Sequence, residues 1–130
     1  MAVRIVRLGT PRQRGEGLRI GTVRRPPRGV PKARYAADDW FDVWLPDLSP
    51  SPELLARGKA ARTDAEWAAF ARAFRAEMER PAPRRTLDLL AALSHGAGFS
   101  LGCYCADESR CHRSVLRALL QQRGAEIADP

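Results

Sequence analysis

Between Thr63 and Gly124 the spacing of the apolar residues changes from one segment to the next, and that alternation limits the folds open to the chain. TDAEWAAFARAFRAEMER opens with Thr63 and Glu66 at the spacing of a capping box, in which hydroxyl and carboxylate satisfy free N–H groups reciprocally. Trp67, Phe70, Ala71, Phe74 and Met78 then follow one helical stripe, which predicts a core-facing helix ended by Pro81. A second helical pattern runs from about Thr86 to His95, with Gly96 as its stop. GFSLGCYC, residues 98–105, reads as a strand, and SRCHRSVLRALLQQRG reads as a helix ended by Gly124. AEIA supplies a short closing strand. Helices and strands taken in turn predict βαβ units and a mainly parallel sheet.

The first half is less regular. Val3, Ile5 and Leu8 alternate with Arg4 and Arg7 as a first strand, and LRIGTVRR gives a second. DDWFDVWLP, residues 38–46, reads as a third strand or extended wall, with Trp40 and Trp44 as core anchors. SPELLARG is a short helix with a Ser or Pro start. The expected architecture is α/β: one compact, three-layer-like domain over residues 1–130, with a small, mainly parallel sheet flanked by helices. No apolar run approaches the roughly 18 residues that span a bilayer, so no membrane association is expected. MAVRIVRLG has no apolar h-region, and three cysteines without a secretory leader suit a reducing, cytoplasmic setting.

Charge is distributed unevenly. The net charge is +7, yet residues 1–34 hold ten of the 22 Arg and Lys residues and a single acid, Glu16. A concentrated positive field attracts anions such as phosphates, nucleotides or nucleic acid. The prolines of RRPPRGVPK forbid regular structure there and stiffen the loop, so Arg24, Arg25 and Arg28 are expected to bind an anion. A nucleic-acid binder is one alternative, but the aromatics are not interleaved with the arginines as a stacking platform needs.

All three cysteines fall within LGCYCADESRCHRS. On a strand, Cys103 and Cys105 would face the same side, and Cys111, His112 and Arg113 would occupy the first turn of the next helix. Ligands of open α/β sheets bind outside the carboxyl ends of strands, and a helix N-terminus favours an anion or thiolate. Cys103, Cys105, Cys111, His112 and Arg113 are therefore candidate catalytic residues, with His112 as a neutral base. The alternative is a metalloprotein in which Cys103, Cys105, Cys111 and His112 hold zinc or iron, haem iron included. Against it, the spacing is not a common zinc pattern, and adjacent Cys111 and His112 are expected to face one ion only with difficulty.

These segments resemble the YeaO-like family of uncharacterised bacterial proteins, a domain of unknown function. The resemblance covers about Leu18 to Gly124: LRIGTVRRPPRGVPK, DDWFDVWLPDLSPSPELLARG, the helix with Trp67 and Phe70, and Cys103 with CHR at 111–113. That last spacing is shared with the family's longer, cysteine-bearing branch, which usually carries an acid where this chain has Cys105. The resemblance implies the fold and assigns no reaction. The expected function is an enzyme or binder of a small phosphorylated or carboxylated molecule at a Cys/His/Arg site.

Overall fold

The computed structural model describes residues 2–128. Four strands, β1 (Ala2–Arg7), β2 (Leu18–Gly21), β3 (Val43–Trp44) and β4 (Gly98–Cys103), form one sheet in the order β1-β4-β2-β3. Every pairing is parallel, and Arg7 lies opposite Cys103 while Gly21 lies opposite Gly102. The two central strands therefore end side by side at the sheet's carboxyl edge. The expected closing strand is a single bridge between Val3 and Ile127.

Four α-helices, α1 (Pro52–Ala60), α2 (Asp64–Met78), α3 (Pro81–Leu93) and α4 (His112–Gln122), and three short 3-10 turns complete the element order. The predicted capping box is present at α2, where the Thr63 hydroxyl accepts from Glu66 N–H and Glu66 reaches back to Thr63 N–H. Phe70, Phe74 and Met78 of α2 are buried with Leu87 and Leu90 of α3 and Leu116, Leu119 and Leu120 of α4. Val3, Ile20, Phe99 and Leu101 supply the sheet side of that core. Pro81 does not merely end α2: it opens α3 five residues before the predicted start, because proline at the first helical turn lacks only an N–H that would be free anyway.

The sheet's other face is covered by irregular chain. Gly102 permits this closeness, since a Cβ there would lie 2.4 Å from Leu8 Cδ2, and at Gly21 it would lie 2.4 Å from Phe41 Cδ2. Leu8, Val23 and Phe41 form a second small core with Cys103 and Cys111, flanked by Tyr35, Trp40 and Tyr104. The predicted third strand shrinks to two residues, and Trp44 is 43% exposed rather than a core anchor. Its indole N–H instead donates to the Val23 carbonyl at 2.7 Å. Trp40 is half-buried against Tyr104.

One ion pair lies wholly inside this layer. Arg19, on β2, donates from Nε and Nη2 to both oxygens of Glu16 at 2.7 and 3.0 Å, and the side chains are 1% exposed. Its Nη1 donates to the carbonyls of Thr10 and Asp39, and Ser100 Oγ donates to Glu16 at 2.7 Å. The single acid of the basic segment is thus the anchor of the loop after β1. Burial would raise its pKa, but the Arg19 fork, the Ser100 hydroxyl and the Gln13 N–H outweigh this and hold it at about 2.

Arg19→Met leaves Glu16 buried without its partner and lowers unfolding free energy by about 3–5 kcal/mol, while Glu16→Leu/Arg19→Met recovers most of that. Because the folded pKa is depressed, Glu16 contributes stability fully above pH about 4.5 and loses it as pH falls towards about 2. Urea unfolding across that window measures both, and a wild-type stability no steeper with pH than the double variant's would contradict the assignment.

Candidate functional site

β4 ends at Cys103, so strand alternation does not place Cys105. The chain turns after Cys103, and the two sulfurs still come to 3.9 Å. A short 3-10 turn, Glu108–Arg110, then leads into α4, held by Asp107 accepting from Ser109 N–H and by Arg117 donating to Glu108. Cys111 is the N-cap of α4, with an extended backbone at φ −132° and ψ 150°, and His112 is the first helical residue. That change of conformation turns both side chains inward: Cys111 Sγ lies 3.7 Å from His112 Nδ1. The expected difficulty of aiming neighbouring residues at one point is removed by the cap.

Cys103, Cys111 and His112 are all buried, and their donor atoms lie within 4.8 Å of one another. Cys105 is exposed and flanks that group through Cys103. The imidazole is fixed from behind. Its Nε2 lies 2.6 Å from the carbonyl oxygen of Thr22 and 3.2 Å from the Thr22 hydroxyl, whose own proton goes to the Gly102 carbonyl. Facing a carbonyl, Nε2 carries the proton and donates it, so the Nδ1 lone pair is the one presented to the sulfurs. Phe74 packs edge-on against the ring at 5.5 Å.

Arg113 is only 3% exposed, and among the described residues no carboxylate pairs with it. It donates to the carbonyls of Val6 and Cys105, each at 2.6 Å, and from Nε to Cys111 Sγ at 3.4 Å. A buried guanidinium needs negative charge nearby, and the thiols are the groups able to supply it. Hydrogen bonds from Cys103 and Cys111, with the nearby charges of Arg113 and Lys59, hold the Cys105 thiol well below its usual range, at about 3. The Cys111 thiol is also lowered, chiefly by its hydrogen bond with Cys103, and the Cys103 thiol is raised by the bonds it donates to the other two. The cluster therefore holds its proton at Cys103 and draws negative charge to the exposed Cys105.

The arginines after β2 are placed differently from one another. Arg24 is engaged within the protein, donating to the carbonyls of Ser49 and Pro50. Arg25 and Arg28 are exposed, and the Arg25 carbonyl accepts from the Tyr104 hydroxyl at 2.9 Å, tying that loop to the cysteine turn. Sequence reasoning missed Thr22, which orients His112. Its position directly after β2, at the carboxyl edge of the sheet, was the available signal.

In protein stripped of metal by a chelator, iodoacetamide alkylates Cys105 first, and Cys103 and Cys111 react only on unfolding. Because the Cys105 pKa is lowered, its rate stays nearly flat from pH 8 to pH 6; a fall following a pKa of about 8.5 would contradict the charge assignment. Peptide mass spectrometry reads both.

No helix among the described residues is long and apolar enough to cross a membrane. Comparison with curated proteins and with solved structures found no match to this chain. A family model does match, over residues 3–124: that of DUF488-N3a, described as the active DUF488-N3 subclade. The helices, the cysteine turn and every strand residue except Ala2 lie within that span, and the chain belongs to the DUF488-N3a family, a family named as a domain of unknown function.

Proposed function

We propose that this chain is a metal-centre enzyme in which Cys103, Cys111 and His112 hold one divalent ion of the zinc type, with Cys105 as an exposed, exchangeable fourth donor. The observation that carries the reading is the convergence of buried donors within 4.8 Å, with the His112 Nδ1 lone pair turned inward. Tetrahedral zinc with sulfur at about 2.3 Å and nitrogen at about 2.0 Å sets donor separations of roughly 3.5–3.8 Å. The separations here, 3.9 Å for Cys103–Cys105 and 3.7 Å for Cys111–His112, are close to that.

The surroundings support it. Metal-bound histidines usually donate their other N–H to a carbonyl or carboxylate, as His112 does to Thr22. Three thiolates and one zinc ion leave a single negative charge, which the Arg113 guanidinium neutralises. A bare ion suits this close group better than haem, whose macrocycle needs a large apolar cleft; the cavities of about 220 and 480 Å³ are lined by other residues. Bound zinc would supply a Lewis acid at the mouth of the sheet.

The description of the subclade as active supports an enzyme, and a small phosphorylated or carboxylated molecule is the substrate class that the Arg-rich surroundings favour. A cytoplasmic setting suits the reduced thiols. Placement in the longer, cysteine-bearing branch of the YeaO-like proteins fits the same residues. Nucleic-acid binding through the basic first third is disfavoured, because Arg12, Arg19, Arg24 and Arg34 are engaged by carboxylates or carbonyls. A second reading on the same residues is metal-free thiolate catalysis, which the exposure and lowered pKa of Cys105 favour.

Elemental analysis of protein purified without added ions, and after cobalt exchange, separates these readings. About one ion per chain, with thiolate-to-cobalt absorption lost in Cys111→Ser and His112→Gln, is expected. Less than about one-tenth of an ion per chain, with no cobalt binding by folded protein, would leave the thiolate reading.

A further inference from the structure

Beside β1, one strand away from the sulfur cluster, a cavity of about 220 Å³ opens between the edge strand, the loop after it and α4. Arg4, Arg7, Thr10, Gln13 and Arg117 contribute to its wall. Arg4 is positioned by donating Nη1 to Gln13 Oε1 at 2.9 Å, and Arg7 by donating Nε to the Tyr104 carbonyl at 3.2 Å. Neither guanidinium has a carboxylate partner among the described residues, unlike Arg117, which pairs with Glu108, and Arg19, which pairs with Glu16. Glu16 also borders the cavity, but its charge is already compensated by Arg19. Two arginines, each positioned by a hydrogen bond and neither paired with a carboxylate among the described residues, therefore line one small space at the edge of the sheet.

We infer that this cavity is an oxyanion site for the phosphoryl group of a small phosphorylated molecule, gripped by Arg4 and Arg7. Guanidinium forks bind phosphate bidentately, and two unneutralised cations match a dianion better than a monoanionic carboxylate. The volume admits a phosphoryl group and a short organic remainder, below the roughly 300–1,000 Å³ of sites for larger ligands. The site also faces the right neighbour. Arg7 is the register partner of Cys103, and the Val6 carbonyl that lines the wall's strand takes Arg113 Nη1. A molecule held by its phosphate here would extend towards the cysteine turn one strand away, about 4.8 Å across the ladder. This site differs from the Arg24, Arg25 and Arg28 loop, and it stands whether or not the cysteines hold metal.

Calorimetric titration of inorganic phosphate into the full chain tests it. Saturable binding is expected, weakened about tenfold or more by Arg4→Gln or Arg7→Gln and unchanged by Arg85→Gln, a surface arginine of α3. Acetate should bind more weakly than phosphate. No saturable binding, equal affinity in the Arg4 and Arg7 variants, an equal loss in Arg85→Gln, or acetate matching phosphate would each overturn the assignment. Loss in Arg25→Gln and Arg28→Gln with Arg7→Gln unaffected would move the anion to the loop after β2 and overturn it too. Metal content measured on the same samples keeps the two sites apart: the Arg4 and Arg7 variants retain the wild-type value, whatever that value is.

Discussion

A single buried guanidinium ties the carboxyl edge of this sheet together. Arg113 reaches β1 through the Val6 carbonyl, the turn after β4 through the Cys105 carbonyl, and the cap of α4 through Cys111 Sγ. Its hydrogen bonds neutralise polar groups, but carbonyls carry no net charge, so the cation remains to be balanced. The sulfurs do that. Negative charge at Cys105, whose thiol Arg113 helps to hold well below its usual range, offsets that cation beside a small apolar core.

The two faces of the sheet have different tasks. The helical face supplies ordinary hydrophobic burial, with Phe74, Leu116 and Leu120 meeting Leu101 and Val3, and it brings Phe74 against the His112 ring. The irregular face could not hold itself by burial alone. It relies on glycines that let Leu8 and Phe41 lie flat on the strands, and on Glu16 and Arg19 fastening the loop after β1. That loop carries Gln13 and Thr10, so the same ion pair that fixes the fold also fixes the wall facing Arg4 and Arg7. Fold and site share their fasteners.

Much of this was legible in the amino-acid order. The capping box at Thr63, the stripe from Phe70 to Met78 and the carboxyl-edge position of the cysteines follow from local spacing, which is a property of consecutive residues. What escaped depends on distant residues. A two-residue β3 needs only the partner positions Ile20 and Gly21, so the tryptophan-rich segment around it stays irregular despite its strand-like composition. Pro81 was legible as a stop but equally suits a start, and only the packing of Pro83 and Leu87 decides. Glu16 read as a lone acid in a basic surface because burial of its pair with Arg19 against the sheet involves Ser100, 84 residues away. Thr22 and His112, 90 residues apart, meet only once parallel pairing sets β2 beside β4.

Sulfur and imidazole meet at one common centre at the sheet's mouth. X-ray absorption at the zinc edge, on protein isolated with its own metal, reads that centre directly. Expected is a first shell dominated by sulfur at about 2.3 Å with an imidazole nitrogen at about 2.0 Å, and a sulfur contribution that shrinks in Cys103→Ser. A shell of oxygen and nitrogen alone would contradict it.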